Sequence, residues 1–193
     1  MTGIGRAARI AALVCGLGAG PAGAGAATIE NAALRYSIVV PDGCVQTAGP
    51  GTLEARCAPD LDAGAGAAIA SALAFLLEVD AERVPEGAAA YAEADFRAEL
   101  PDQVCGEADA SKVRLANVGR RAEVAADNFS ADVTCPAVRF LRLPERRASV
   151  RMVTAGGFRY RLMARAPAED WERVKGAAEA FLASFKVAPP PAQ

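Results

Sequence analysis

RASVRMVTAGGFRYRLMARA, residues 147–166, reads as a β-hairpin and decides the fold class. The consecutive glycines Gly156 and Gly157 supply the left-handed backbone that a two-residue hairpin turn demands. On the second arm Phe158, Tyr160, Leu162 and Ala164 alternate with Arg159, Arg161, Met163 and Arg165, the period of a strand. On the first arm Ala148, Val150 and Met152 are assigned to the same apolar face, which leaves Arg147 and Arg151 on the other. The expectation is a sheet with one buried side and one side rich in arginine.

Working outward, Pro167-Ala168-Glu169-Asp170 has the proline and carboxylates of a helix start. Trp171, Val174, Ala178, Phe181, Leu182 and Phe185 then recur at helical spacing, an apolar stripe to lay on the sheet, with Trp171 as a core anchor. Residues 188–193, with three successive prolines, are expected to be a disordered or extended tail. Upstream, strands are predicted over 34–40, ending at the turn Pro41-Asp42-Gly43, and over 52–58, 71–79, 112–117, 122–134 and 138–143. Residues 59–66 read as a loop. A helix is predicted from Pro85 to Leu100, burying Tyr91 and Phe96 and leaving Glu93, Arg97 and Glu99 in water. Together these give an α+β fold, an antiparallel sheet covered by helices, as one domain over residues 27–187.

Residues 1–26 read as a secretory signal peptide: Arg6 and Arg9, an apolar run from Ile10 to Leu17, then small residues ending in Ala24-Gly25-Ala26. The apolar run is far short of the about 20 residues a membrane-spanning helix needs, so no transmembrane anchor is expected. Cys15 lies in this leader in a context unlike a lipoprotein site. Beyond it stand Cys44, Cys57, Cys105 and Cys135, an even number that in an oxidising compartment implies two disulfides. The pairing favoured is Cys44 with Cys57, flanking the turn at Gly49-Pro50-Gly51, and Cys105 with Cys135, bracketing a strand pair. No close cysteine pair suggests zinc, and no metal or cofactor is expected. The chain has no histidine, which excludes Ser-His-Asp and Cys-His mechanisms. A bias to Ala, Gly and Arg suits a high-GC bacterium, which would place the protein in the periplasm or outside the cell.

Charge is polarised along the chain. Residues 27–110 hold 4 basic and 15 acidic side chains, and residues 111–193 hold 15 basic and 8 acidic. The favoured reading is that the two halves face each other in the fold, rather than forming a nucleic-acid or membrane surface.

Two segments carry a family likeness. Tyr36-Ser37-Ile38-Val39-Val40-Pro41 at one end, and Gly157-Phe158-Arg159-Tyr160-Arg161-Leu162 followed by Trp171 and Phe181-Leu182-Ala183-Ser184-Phe185 at the other, resemble the fold family of the photosystem II extrinsic subunit PsbP and the Ran-binding Mog protein. The resemblance implies an antiparallel sheet covered by helices, an α/β sandwich, and accessory rather than catalytic roles. It transfers no binding residue. Cys44 stands where family members often carry an aromatic residue after the proline turn, so the cysteines look like an addition of a secreted branch.

The candidate site is the group Arg147, Arg151, Arg159, Arg161 and Arg165, whose guanidinium forks suit a carboxylate or phosphate on an anionic partner. The competing reading is that they coat a solvated face or pair with the acidic first half. Asp60 and Asp62 lack the later ligands of a calcium loop and read as polar loop. No catalytic constellation is assigned. The sequence therefore points to an exported, non-catalytic accessory or binding module of the bacterial envelope, engaging an envelope protein or an anionic envelope component. The alternatives are a carboxylate-dependent hydrolase of envelope polymers and a carrier of small apolar ligands, the latter resting on the alanine-rich stretch 67–74.

Overall fold

The computed structural model describes residues 26–58, 74–106, 108–120 and 127–189. The expected leader up to residue 25, the expected loop 59–66 with Asp60 and Asp62, residues 67–73, the beginning of the strand expected at 122 and residues 190–193 of the expected tail lie outside the described residues.

Strands β1 (Ala27–Asn31) and β2 (Tyr36–Val40) form an antiparallel pair, joined by the short β10 (Lys186–Val187) on the far side of β2. The larger sheet holds β3 (Val45–Ala48), β4 (Thr52–Cys57), β5 (Phe75–Arg83), β6 (Arg114–Arg120), β7 (Asp127–Cys135), β8 (Arg146–Ala155) and β9 (Phe158–Pro167), in the spatial order β3-β4-β5-β9-β8-β7-β6. Every pairing in it is antiparallel. Two helices complete the layers, α1 (Glu93–Leu100) and α2 (Trp171–Ser184). The expected α+β sheet-and-helix sandwich is what the chain forms.

The hairpin of β8 and β9 is the centre of the sheet. Gly156 and Gly157 both have positive φ, 61° and 83°, so Ala155 pairs directly with Phe158 as a two-residue turn requires. Arg35, itself left-handed at φ 58°, ties the β1–β2 turn to this tip: its guanidinium donates to the Gly156 carbonyl (2.9 Å) and the Ala188 carbonyl (3.2 Å). The Tyr160 hydroxyl donates to the Leu34 carbonyl beside it, at 2.8 Å.

Among the described residues, the two helices lie on opposite faces of the large sheet. On one side α2 and β2 pack on β4, β5 and β9, burying Trp171, Val174, Ala178 and Phe181 against Leu77, Val79, Tyr160 and Leu162. On the other side α1 packs on β7 and β8, with Phe96 stacked on Phe129 (5.7 Å between ring centroids) and Leu100 and Val104 beside Val133 and Val150. Both disulfides expected from the sequence are present, Cys44–Cys57 and Cys105–Cys135.

Several elements differ from the sequence reading. β1 and β3 were not anticipated, because both are largely exposed strands without an apolar alternation to announce them. The helix begins at Glu93 rather than Pro85. Gly87 takes φ 76° in a turn closed by Ala88 N–H donating to Pro85, and the helix start is fixed instead by the Asp95 carboxylate accepting from Ala92 N–H (3.0 Å). It also does not stop at Pro101 but runs on into a single wide turn over Pro101–Cys105. Residues 138–143 form no strand. Arg139–Leu141 is a 3₁₀ turn closed by one bridge between Val138 and Leu143, with Arg142 left-handed at φ 54°. β5 continues past Asp80 to Arg83, since Asp80 and Glu82 find arginines on β9. Pro167 closes β9 rather than opening α2, which starts at Trp171.

Candidate functional site

The five arginines singled out in the sequence do not form one patch. In a two-residue hairpin the partners across the strands share a face, and here an odd-numbered residue of β8 always pairs with an even-numbered residue of β9. Arg147 and Arg151 therefore stand on the side of Phe158, Tyr160, Leu162 and Ala164, toward α2, whereas Arg159, Arg161 and Arg165 share the opposite side with Ala148, Val150 and Met152. The assignment of Ala148, Val150 and Met152 to the first apolar face is corrected accordingly. Alternation was read correctly on each arm, but the parity across the turn was not.

On the α2 side, Arg147 pairs with Glu172 (3.1 Å), and Arg151 donates to Asn128 Oδ1 and to the Leu182 carbonyl, both at 3.2 Å. The cleft beneath it, about 570 Å³, lies between α2 and the β7–β8 surface and is lined by Asn117, Asp132, Ser149, Arg151, Lys175 and Glu179 among others. Asp132 accepts there from Asn117 Nδ2 (2.7 Å) and Ser149 Oγ (2.6 Å).

On the α1 side of β5 and β9, a ladder of opposite charge crosses the sheet. Glu78, Asp80 and Glu82 alternate along β5 and stand opposite Met163, Arg161 and Arg159 of β9. Arg159 pairs with Glu82 (2.9 Å), and Arg161 bridges Glu78 (3.3 Å) and Asp80. These contacts join the acidic first half to the basic second half, as the charge polarity suggested. Arg159 also lies over the Tyr91 ring, 4.2 Å from its centroid, and the Tyr91 hydroxyl donates to Glu99 at 2.6 Å. Burial, and then the Glu99 carboxylate, push the Tyr91 phenol well above its ordinary pKa. A cavity of about 320 Å³ opens over this cluster, lined by Thr52, Asp80, Glu82, Glu99, Gln103, Arg159 and Arg161 among others.

Farther along the same face lies a second cavity, about 250 Å³, with a different character. Its polar lining is Glu54, Arg56, Arg146 and Arg165, and its apolar walls include Leu76, Leu143 and Ala166. Arg146 is only 8% exposed and donates to the Cys105 carbonyl (3.2 Å), while Arg165 donates to the Val104 carbonyl (2.8 Å). Neither forms an ion pair among the described residues. Burial, and then the neighbouring Arg165, lower the pKa of Arg146; burial likewise lowers that of Arg165, against the opposing pull of Glu78 and Glu54. Both guanidinium groups keep their charge at neutral pH all the same. Arg146 was overlooked in the sequence because the hairpin was started one residue later.

No protein-family model matches the chain, and no curated protein matches it. Among solved structures it is similar to cyanobacterial PsbP (CyanoP) from Synechocystis sp. PCC 6803, with a TM-score of 0.58 and 18% identity over 90% of this chain and 97% of that one. The fold is PsbP-like. More distant likenesses are LpqN, involved in cell envelope biogenesis of Mycobacterium tuberculosis (TM-score 0.46, 10% identity, 80% of this chain and 83% of that one), and a protein of unknown function from Pseudomonas aeruginosa (TM-score 0.43, 8% identity, 86% and 99%). The PsbP-like frame accounts for the sheet and its two covering helices. No helix among the described residues is long and apolar enough to cross a membrane.

Proposed function

We propose that this chain is an exported, non-catalytic accessory module that binds a component of the bacterial envelope, in the periplasm or outside the cell, through the β4–β5–β9 half-face on the α1 side. The observation that carries the reading is the arrangement of charge on that half-face. Glu78, Asp80 and Glu82 are tied to Arg159 and Arg161, which is the use of carboxylates as structural partners rather than as a free acid and base. The two cavities beside the ladder offer polar recesses to a bound group. Two disulfides in a chain of this size support an oxidising compartment, and the leader at 1–26 supports export.

The test is site-specific photo-crosslinking in the living envelope. A photoreactive residue at Thr52, exposed on this half-face, is expected to give a discrete crosslinked species containing an envelope component, while one at Glu169, ahead of α2, gives only background. Absence of a discrete species from Thr52, or the same species from both positions, would overturn the reading.

A further inference from the structure

We infer that the cavity between β4, β5 and β9 is an anion-binding site in which Arg146 and Arg165 hold a carboxylate or phosphate group carried on a short apolar stem. The inference deepens the reading of the chain as a binding module, and rests on it for the biological source of the ligand.

Two cations stand here with no ion-paired carboxylate among the described residues, Glu78 and Glu54 acting on Arg165 only from beyond contact. Ala148 pairs with Arg165 and Arg146 with Pro167, so the two arginines are diagonal neighbours on one face of adjacent strands. A buried guanidinium is normally matched by an acid, because an unpaired charge away from water is costly. Here backbone carbonyls take one donor from each; the Arg146 Nε is buried without a hydrogen-bond partner, as are those of Arg159 and Arg161, so what sets this pair of arginines apart is the lack of an ion-paired carboxylate among the described residues. Arg159 and Arg161, on the same strand as Arg165, are both paired with carboxylates, and Glu78, the acid diagonal to Arg165, is taken by Arg161.

The rest of the lining agrees in sign and shape. Arg56 adds a third cation, and the one carboxylate among the described lining residues, Glu54, is paired with Arg56. A guanidinium presents a planar fork of donors, which suits the paired oxygens of a carboxylate or phosphate. About 250 Å³ accommodates such a headgroup with a few carbons behind it, and Leu76, Leu143, Ala166 and Pro167 provide apolar walls for them. The loop that brings Leu143 to the cavity also exposes Phe140, 78% accessible, and Leu141. The carbonyls that orient the two arginines belong to Val104 and Cys105, and Cys105 is bonded to Cys135 on β7, directly opposite Arg146 in register. One disulfide thus fixes the floor of the site.

The test uses the full oxidised chain recovered after export, titrated with inorganic phosphate and separately with hexanoate, chloride being exchanged to keep ionic strength constant. Saturable binding of at least one probe is expected, with amide NMR shifts at Leu76 and Ala166. Arg165→Gln and Arg146→Gln should weaken it by about tenfold or more, as loss of a hydrogen bond to a charged group implies. Arg147→Gln, on the opposite face, should leave it unchanged. If Arg146→Gln does not fold, Arg165→Gln carries the comparison, since by accessible surface Arg165 is half-buried and Arg146 buried. Binding of neither probe, or equal binding by Arg165→Gln, would overturn the site. Anion binding without a crosslinked envelope partner would leave the site standing and sink the functional reading, whereas a partner without anion binding would do the reverse.

Discussion

At the residue scale, the three tyrosines couple the fold to alkaline pH. Tyr36, Tyr91 and Tyr160 are raised above the ordinary 10.0 chiefly by burial, and for Tyr91 the acceptor Glu99 adds to the shift. A phenol whose folded pKa is raised stays protonated in the native state after the unfolded chain has begun to lose its proton. Its contribution to stability is therefore complete below pH 10 and declines as pH rises beyond it. Stability measured by denaturant titration is expected to hold level up to that point and fall above it, with phenolate absorbance rising together with unfolding. Tyr91→Phe should make the fall less steep. Phenolate appearing well before unfolding would show that these rings are not held as described. Gly156 supplies a second residue-scale prediction. Its φ of 61° disfavours any side chain, and an added Cβ would lie 3.1 Å from Arg35 Nη1. Gly156→Ala should cost about 1–2 kcal/mol, whereas an unchanged melting temperature would contradict the close approach of Arg35 to the turn.

At the scale of elements, the pairing of β5 with β9 depends on a charge ladder that is worth more at its centre than at its rim. The Arg161 side chain is 20% exposed and faces two carboxylates of similar burial, so Arg161→Leu strands both. A loss of about 2 kcal/mol or more is expected in chemical denaturation. Arg147→Leu breaks only the exposed pair with Glu172 on the other face and should change stability by no more than about 0.5 kcal/mol. Equal losses would remove the distinction between the two. This ladder also explains what was legible in the sequence. The alternation of Phe158, Tyr160, Leu162 and Ala164 found β9, and the apolar spacing from Trp171 found α2, because burial on one side dictates a period. Glu78, Asp80 and Glu82 carry the same period of two, a signal that β5 runs on beyond Val79, but one that only becomes meaningful with the β9 arginines opposite. β1 and β3 left no such trace, being exposed along most of their length. Residues 85–92 looked helical by their alanines; the positive φ of Gly87 outweighs propensity there.

At the scale of the whole molecule, the two helices pack on opposite faces of the sheet, and this determines which charges meet. A reading of one apolar and one polar side merges arginines that point in opposite directions; with helices on both sides, Arg159 and Arg161 pair with the acids of β5, Arg165 shares their face opposite Leu76, and Arg147 and Arg151 lie beside α2. Both disulfides act at this level. Cys44–Cys57 ties the segment after β2 to β4, and Cys105–Cys135 ties the end of the α1 segment to β7, with sequence separations of 13 and 30. Replacing either pair by alanines should cost about 3 kcal/mol, with the Cys105–Cys135 pair the more expensive because it closes the longer loop. Thermal unfolding of the two double variants checks this, and an unaffected melting temperature in the second would contradict its role as the clamp beneath Arg146.

The claim on which the account turns is that this PsbP-like fold is matured outside the cytoplasm. Intact-mass and non-reducing peptide analysis of the chain, produced from its full sequence in a bacterial host, tests it directly. The account predicts a polypeptide in the periplasm or medium that starts near Ala27 and carries both Cys44–Cys57 and Cys105–Cys135 links; a full-length, reduced chain in the cytosol would contradict it.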